Sequence, residues 1–148
     1  MAQLSLLSPH GELTLTEEDG AIVALDWGEG RDQQESPLLR RAVQQLHAYF
    51  DGKRTEFDLP LAPRGTPFQS RVWQHLQAIG YGQTMTYGAL AAAVGSHPRA
   101  VGQAVGRNPI GIIIPCHRVV GAAGLTGYSG LGGIDTKASL LRLEGALI

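Results

Sequence analysis

The chain has a single cysteine, Cys116, in 148 residues. One cysteine excludes an intramolecular disulfide and every multi-cysteine zinc or iron–sulfur site, and with them the disulfide-held secreted scaffolds. No apolar run approaches the ~20 residues that a membrane-spanning helix needs. No basic cluster followed by an apolar stretch opens the chain, so no signal peptide is expected. The Gly-Lys-Ser/Thr of a phosphate loop is missing, so the glycine-rich stretch 121–133 is not read as a nucleotide cradle. Internal repeats and low-complexity tracts are missing too. Net charge is slight: 12 Lys+Arg against 13 Asp+Glu leave −1, which at face value argues against a polyanion as partner. With 43% hydrophobic and 17% charged residues, the chain can bury a core in one ordinary domain or two small ones. A soluble, cytoplasmic protein is expected.

The charge is not evenly spread. Residues 1–61 hold five cations and eleven anions, a net of −6. Residues 62–148 hold seven cations and two anions, a net of +5. A basic second half is what a nucleic-acid-binding module shows, and a chance division of a neutral surface gives the same count.

Residues 1–30 read as strands, with apolar runs at Leu13–Leu15 and Ile22–Trp27 around an Asp19-Gly20 hairpin turn. A loop follows over 28–35. Ser36 as N-cap and Pro37 as first residue open a helix with the stripe Leu38, Leu39, Ala42, Val43, Leu46 and Phe50, stopped by Gly52. Residues 54–65, with Pro60, Pro63 and Gly65, read as a linker. Thr66 and Pro67 open a second helix, with Phe68, Val72, Trp73, Leu76 and Ile79 facing inward. Thr86 caps a short helix over 87–94, and Ser96 caps another over 97–106, with Gly95 between. Such a pair is a helix-turn-helix candidate, though many domains contain two short helices joined by glycine. Ile112–Ile114 read as a buried strand or extended stretch. Asp135 caps a last helix bearing Ala138, Leu140, Leu141 and Leu143, which ends near Glu144-Gly145. The fold class is α+β: a small strand-and-helix module over 1–61, then an α-helical domain over 62–148 with a helix-turn-helix.

Cys116 has two readings. After three isoleucines it is a small core residue. Between Pro115 and His117-Arg118, with glycines close behind, it is a thiol whose neighbours favour the nucleophilic thiolate. His117 is the adjacent base, but neighbours on a strand point to opposite faces. A working pair therefore needs a turn, helical geometry or a bridging water.

Pro115-Cys116-His117-Arg118-Val119-Val120 resembles the active-site signature of the O6-alkylguanine-DNA alkyltransferases, the methylated-DNA–protein-cysteine S-methyltransferase family. Arg99-Ala100-Val101-Gly102, Arg107-Asn108-Pro109, Gly127-Tyr128-Ser129-Gly130 and Leu143-Glu144-Gly145 follow the family's order. The resemblance is strong over residues 66–145 and general in style before that. The zinc-binding cysteines of some relatives are missing, so no metal is expected.

The resemblance implies roles. Cys116 is the alkyl acceptor, His117 takes its proton through a water, Glu144 orients the imidazole, and Asn108 holds the turn beside the cysteine. Tyr87 donates to the base. Tyr128 and Ser129 line the alkylguanine pocket, and the carbonyls of Cys116 and Val119 accept from the exocyclic amine. Arg99 takes the place of the extruded base, and Arg64, Arg71 and Arg107 join it in phosphate affinity. The implied substrate is double-stranded DNA carrying O6-alkylguanine, with O4-alkylthymine as a second candidate lesion. The implied reaction is a single-turnover transfer after base flipping. No diffusible cofactor and no membrane are implied, and a monomer in solution is expected. The residues alone also admit a non-catalytic helix-turn-helix binder and a Cys-His hydrolase or acyltransferase.

Overall fold

A computed structural model describes residues 2–30, 33–124 and 133–147. The chain divides into two compact units, Met1–Arg64 and Gly65–Ile148. This places Arg64 in the first unit. With that boundary the first unit has six cations and eleven anions, a net of −5, and the second six cations and two anions, a net of +4.

The first unit is an antiparallel sheet with one helix. Strands β1 (Ala2–Ser8), β2 (Gly11–Glu18) and β3 (Ala21–Trp27) lie in the order β1-β2-β3. Asp19 and Gly20 turn the β2–β3 hairpin with φ of 52° and 79°. Two positive φ values in succession match the right-handed twist of the strands, and Asp-Gly accepts them readily. The register sets Leu4 opposite Leu15, Leu6 opposite Leu13 and Leu15 opposite Leu25. The buried leucines Leu6, Leu13, Leu15 and Leu25 contribute to the core. Helix α1 (Pro37–Phe50) begins as expected, with the Ser36 hydroxyl accepting from Leu39 N–H. It packs on β1 and β2. Its buried face is Leu39, Ala42, Gln45, Leu46 and Tyr49.

The expected linker is part of this unit. Ile22 N–H donates to Pro60 O at 2.9 Å, and Ala62 N–H donates to Ile22 O at 2.8 Å. The side chain of buried Gln45 bonds both the N–H and the C=O of Asp58. Prolines cannot donate to a sheet ladder, so a proline-rich stretch reads as a linker; here it lies along the β3 edge, where only alternate residues must donate.

The second unit is helical. Helix α2 (Pro67–Gln77) opens on a capping box, in which Thr66 and Gln69 each bond the other's backbone N–H. Strand β4 (Met85–Thr86) is followed by α3 (Tyr87–Val94), capped by the Thr86 hydroxyl and ended by Gly95 at φ 73°. Helix α4 (Pro98–Gly106) follows. Its N-cap is His97, not Ser96, and makes no side-chain cap bond. Pro98 explains the shift: proline suits the first helical position and forces the residue before it to be extended. Helices α2, α3 and α4 pack on one another, and the indole of buried Trp73 donates to Ala104 O at 2.8 Å.

Ile112–Ile114 form no strand. They lie in a buried turn in which Ile114 N–H reaches Ile110 O and Ile112 takes φ 70°. Asn108 overrides the β preference of three isoleucines: its side chain accepts from Ile110 N–H and donates to Ile114 O. A 3₁₀ turn over Cys116–Arg118 then leads into β5 (Val119–Val120), which pairs with β4 in parallel. Helix α5 (Gly133–Leu143) starts two residues before Asp135, so that residue is in the first turn and is not the N-cap. Among the described residues no helix is long and apolar enough to cross a membrane.

Candidate active site

The site begins with the turn that Asn108 fixes. By bonding the backbone of both Ile110 and Ile114, Asn108 sets the path of the chain into Pro115-Cys116. Arg118 N–H then bonds Pro115 O at 3.0 Å, closing the 3₁₀ turn. The opposed facing of strand neighbours therefore does not apply to Cys116 and His117. Cys116 is buried and outside any disulfide. Its carbonyl already accepts from Val119 N–H.

His117 is fully buried, and its Nε2 lies 2.7 Å from Glu144 Oε2. Its Nδ1 is buried with no hydrogen-bond partner. Burial chiefly holds the imidazole pKa below the usual 6.5, against the upward pull of Glu144 through hydrogen bond and charge. Arg118 and Lys137 add smaller downward pushes. The resting ring is thus neutral near pH 7. If Nε2 donates to the carboxylate, Nδ1 presents a lone pair, the state a general base needs.

Arg118 is the member that sequence reasoning missed. It was visible only as a cation in the signature. Its side chain is 8% exposed. Nε donates to Glu144 Oε1 at 2.8 Å, Nη2 to Glu144 Oε2 at 3.0 Å, and Nη1 to Ile79 O at 2.6 Å. The fork grips both carboxylate oxygens, so Glu144 is held before it meets the imidazole. The other side of Glu144 is set by the turn after α2: Tyr81 OH donates to Leu143 O, and a Cβ on Gly82 would lie 3.1 Å from Glu144 O.

Lys137 is a second residue without a sequence signal. It lies in α5, which packs on the Cys116–Arg118 turn. Its side chain is fully buried, and Nζ has no hydrogen-bond partner. Nζ sits 5.8 Å from the ring centroid of Tyr87.

The other expected residues fall in several places. Tyr87, half-buried, is the first residue of α3. Val119 pairs with Met85 across β4 and β5. Arg99 is exposed in the first turn of α4, and Arg107 is exposed at its C-terminal end. Arg107 lines a cavity of about 200 Å³ with Thr66, Phe68, Gln69, Gln103 and their neighbours. Arg71 donates to Val94 O at the end of α3 and lies over the Phe68 ring. Arg64 is apart from this group: it pairs with Glu18 in the first unit at 2.7 Å. Tyr128 and Ser129 lie outside the described residues. No group of three or more His, Cys, Asp or Glu suited to a metal ion occurs among the described residues.

Two family models match the chain. One, 6-O-methylguanine DNA methyltransferase, DNA binding domain, covers residues 67–146. The other, 6-O-methylguanine DNA methyltransferase, ribonuclease-like domain, covers residues 5–63, a part that carried the resemblance only in general style. A constitutive methylated-DNA–protein-cysteine methyltransferase of Bacillus subtilis (strain 168) is 46% identical over 151 residues, spanning 93% of this chain and 91% of the relative. The crystal structure of Mycobacterium tuberculosis O6-methylguanine methyltransferase is similar with a TM-score of 0.88 at 44% identity, over 99% of this chain and 94% of that one. Mycobacterium tuberculosis OGT in complex with DNA is similar to the same degree, with the same coverage.

Proposed function

The chain belongs to the 6-O-methylguanine DNA methyltransferase family, and from that premise we propose that it repairs DNA by moving the alkyl group of O6-alkylguanine onto Cys116. The observation that carries the site assignment is the Cys116–Arg118 turn, which sets a buried thiol beside an imidazole held by Glu144. In the proposed step the thiol proton passes through a water to His117 Nδ1. The sulfur lone pair forms the S–C bond as the C–O6 bond breaks. The electron pair goes to the purine, which takes up a proton and leaves as guanine in the strand. The thioether is not readily hydrolysed, and the chain has no second thiol to regenerate Cys116. Each molecule therefore acts once.

A base in the duplex does not reach a buried sulfur, so the lesion must be extruded, at a cost of a few kcal/mol. Helices α3 and α4 are read as a helix-turn-helix that enters the minor groove, as the family does, and not the major groove of common repressors. Arg99, exposed in α4, fills the vacated stack. Arg107 and, in part, Arg71 supply phosphate affinity without sequence preference. Arg64 is left out because Glu18 already pairs with it. Tyr87 donates to the base, and the carbonyls of Cys116 and Val119 accept from its exocyclic amine. Tyr128 and Ser129 complete the pocket as the resemblance implies. A free nucleophilic thiol suits a reducing compartment, which supports the cytoplasm as location, and the reading takes the protein as a monomer.

Incubation with duplex DNA containing O6-methylguanine, followed by intact mass measurement, tests this. A gain of about 14 Da, a methyl group in place of a hydrogen, is expected on Cys116, with one methyl per protein at most. Cys116→Ser should remain unshifted. An unshifted native protein, or one that turns over many lesions, rejects the reading.

A further inference from the structure

Helix α5 ends in a Schellman motif, and that motif sets where Glu144 stands. Gly145 takes φ 79°, its N–H bonds Arg142 O at 3.0 Å, and Ala146 N–H bonds Leu141 O at 2.9 Å. Glu144 is therefore the C-cap of the helix. The carbonyl just before it, Leu143 O, lies outside the motif and accepts from the Tyr81 hydroxyl at 3.2 Å. A helix-end carbonyl needs such a donor from elsewhere in the fold. Tyr81 is presented by a β-turn after α2. Gln83 N–H bonds Gly80 O at 3.0 Å, and Gly82, third in the turn, takes φ 80°, as a type II turn requires at that position. A Cβ on Gly82 would lie 3.1 Å from Glu144 O, so the turn fits closely against the C-cap. Tyr81 is half-buried, and the Arg118 guanidinium lies over its ring, 5.9 Å from the centroid. One side chain thus reaches both members of the ion pair. Its ring lies against Arg118, and its hydroxyl holds the backbone next to Glu144.

We propose that Tyr81 is a positioning residue for alkyl transfer, which fixes the Arg118–Glu144 pair that orients His117. The inference rests on Cys116 being the alkyl acceptor and His117 its base. Tyr81 makes and breaks no bond in the transfer. Glu144 must stand within hydrogen-bond reach of Nε2 to stabilise the imidazolium that forms when Nδ1 takes the thiol proton. Two anchors aim its carboxylate: the Arg118 fork on the oxygens, and the Tyr81 bond on the main chain one residue before. Without the hydroxyl, the end of α5 loses its tether beside Glu144, and the carboxylate moves off the imidazole. The groups that bear on His117 are Cys116 and Arg118 on its own turn, Lys137 in α5 and Glu144 after it. Of the charged ones, Glu144 favours the imidazolium, while Arg118 and Lys137 oppose it. A loosened Glu144 therefore makes His117 a weaker base.

Tyr81→Phe keeps the ring on Arg118 and removes only the hydroxyl. Its reaction with free O6-benzylguanine, followed by intact mass across a pH series, should be slower on the plateau by roughly two- to tenfold, the range that one hydrogen bond spans. The acid midpoint of the rate profile should move to lower pH at the same time, since His117 then holds its proton less firmly. Partial unfolding alone lowers the amount of protein that reacts and leaves that midpoint in place. Tyr81→Leu, which also removes the ring from Arg118, should lose more rate than Tyr81→Phe. A plateau rate and a midpoint equal to the native values in folded Tyr81→Phe overturn the proposal and leave the alkyl-transfer reading intact. A native protein that takes no benzyl group overturns that reading, and the proposal with it. A second measurement needs no alkyl transfer. In protein labelled with nitrogen-15 histidine, the imidazole N–H bonded to Glu144 should exchange with water faster in Tyr81→Phe than in the native chain, with His117→Gln identifying its signal. Equal exchange in the two folded proteins overturns the proposal even when alkyl transfer proceeds.

Discussion

Arg118 and Glu144 meet through two parallel hydrogen bonds, Nε to Oε1 at 2.8 Å and Nη2 to Oε2 at 3.0 Å, with both side chains almost wholly buried. A third bond, to Ile79 O, ties the guanidinium to the chain leaving α2. The pair joins three segments that are distant in sequence, and the same carboxylate holds His117. One buried ion pair therefore supports the fold and, in the proposed reaction, orients the imidazole.

Removing Arg118 should be costly for stability. Arg118→Leu leaves Glu144 charged in a buried site, which costs about 3–5 kcal/mol. Arg118→Lys keeps the charge but loses the fork, so it should recover only part of that loss. Urea unfolding of the three proteins at pH 7.5 measures both effects.

His117 makes stability depend on pH with a definite sign. Its pKa in the folded chain is held below 6.5, mainly by burial. Between the folded value and 6.5 the unfolded chain binds a proton that the folded chain does not. Stability is then lost as pH falls below about 6.5 and is fully present above it. His117→Gln removes this contribution. The native protein should therefore lose more stability than His117→Gln between pH 7.5 and pH 5.5, measured by urea midpoints. Half-buried His10, whose pKa is also lowered, is common to both proteins and cancels.

The elements that were legible in the sequence are those with local signals. Ser36-Pro37, Thr66-Pro67 and Thr86 mark three helix starts, and Gly95 marks a helix end, because caps act through the nearest backbone groups. The turn over Ile112–Ile114 was hidden, since a side-chain bond from Asn108 to a residue six positions on overrides the local β preference. Cys116 and His117 were legible through the signature. Glu144 was placed only by resemblance, because nothing in residue spacing joins positions 27 apart. Arg118 reads as a cation beside the thiol and Lys137 only as one of the charges of the basic half, and only the fold reveals that both are buried.

Asn108 offers a test of that turn. Ile110 is fully buried, so Asn108→Ala leaves its N–H without the Asn108 acceptor, while Ile114 O loses one bond and keeps that from Cys116 N–H. At roughly 1–3 kcal/mol for the unsatisfied N–H and about 1 kcal/mol for the lost bond to Ile114 O, a loss of about 2–4 kcal/mol is expected. Asn108→Asp keeps the acceptor for Ile110 and loses the donor to Ile114, so it should lie between. Thermal unfolding, with iodoacetamide reactivity of Cys116 as a local probe, distinguishes loss of the turn from loss of the whole unit.

Arg99 separates base extrusion from chemistry. It is exposed in the first turn of α4 and has no place in the Cys116–His117–Glu144 cluster. Arg99→Ala should slow repair of O6-methylguanine in duplex DNA by about tenfold or more, as loss of roughly 1.4 kcal/mol of support for the flipped state would do. Reaction with free O6-benzylguanine needs no flipping and should change little. Single-turnover rates with both substrates decide the point, and equal slowing on the two would refute the role assigned to Arg99.

Salt should weaken DNA binding steeply despite the overall charge of −1. The acidic first unit brings the sum to that value, while the second unit alone carries +4. Arg118 and Lys137 are buried, so their charges do not reach phosphates directly. Of the four exposed cations left, Arg71, Arg99, Arg107 and Arg142, the proposal assigns phosphate contact to Arg99, Arg107 and, in part, Arg71. Each phosphate neutralised releases condensed counterions and adds about −0.9 to the slope of log K against log salt. Two or three contacts therefore predict a slope of roughly −2 to −3, and Arg107→Ala should make it shallower by about 1. Arg64→Ala, which removes a cation already paired with Glu18, should leave the slope near its native value. Binding measured by fluorescence anisotropy across a salt series tests all three; a flat response would remove the basic face from the proposed DNA contact.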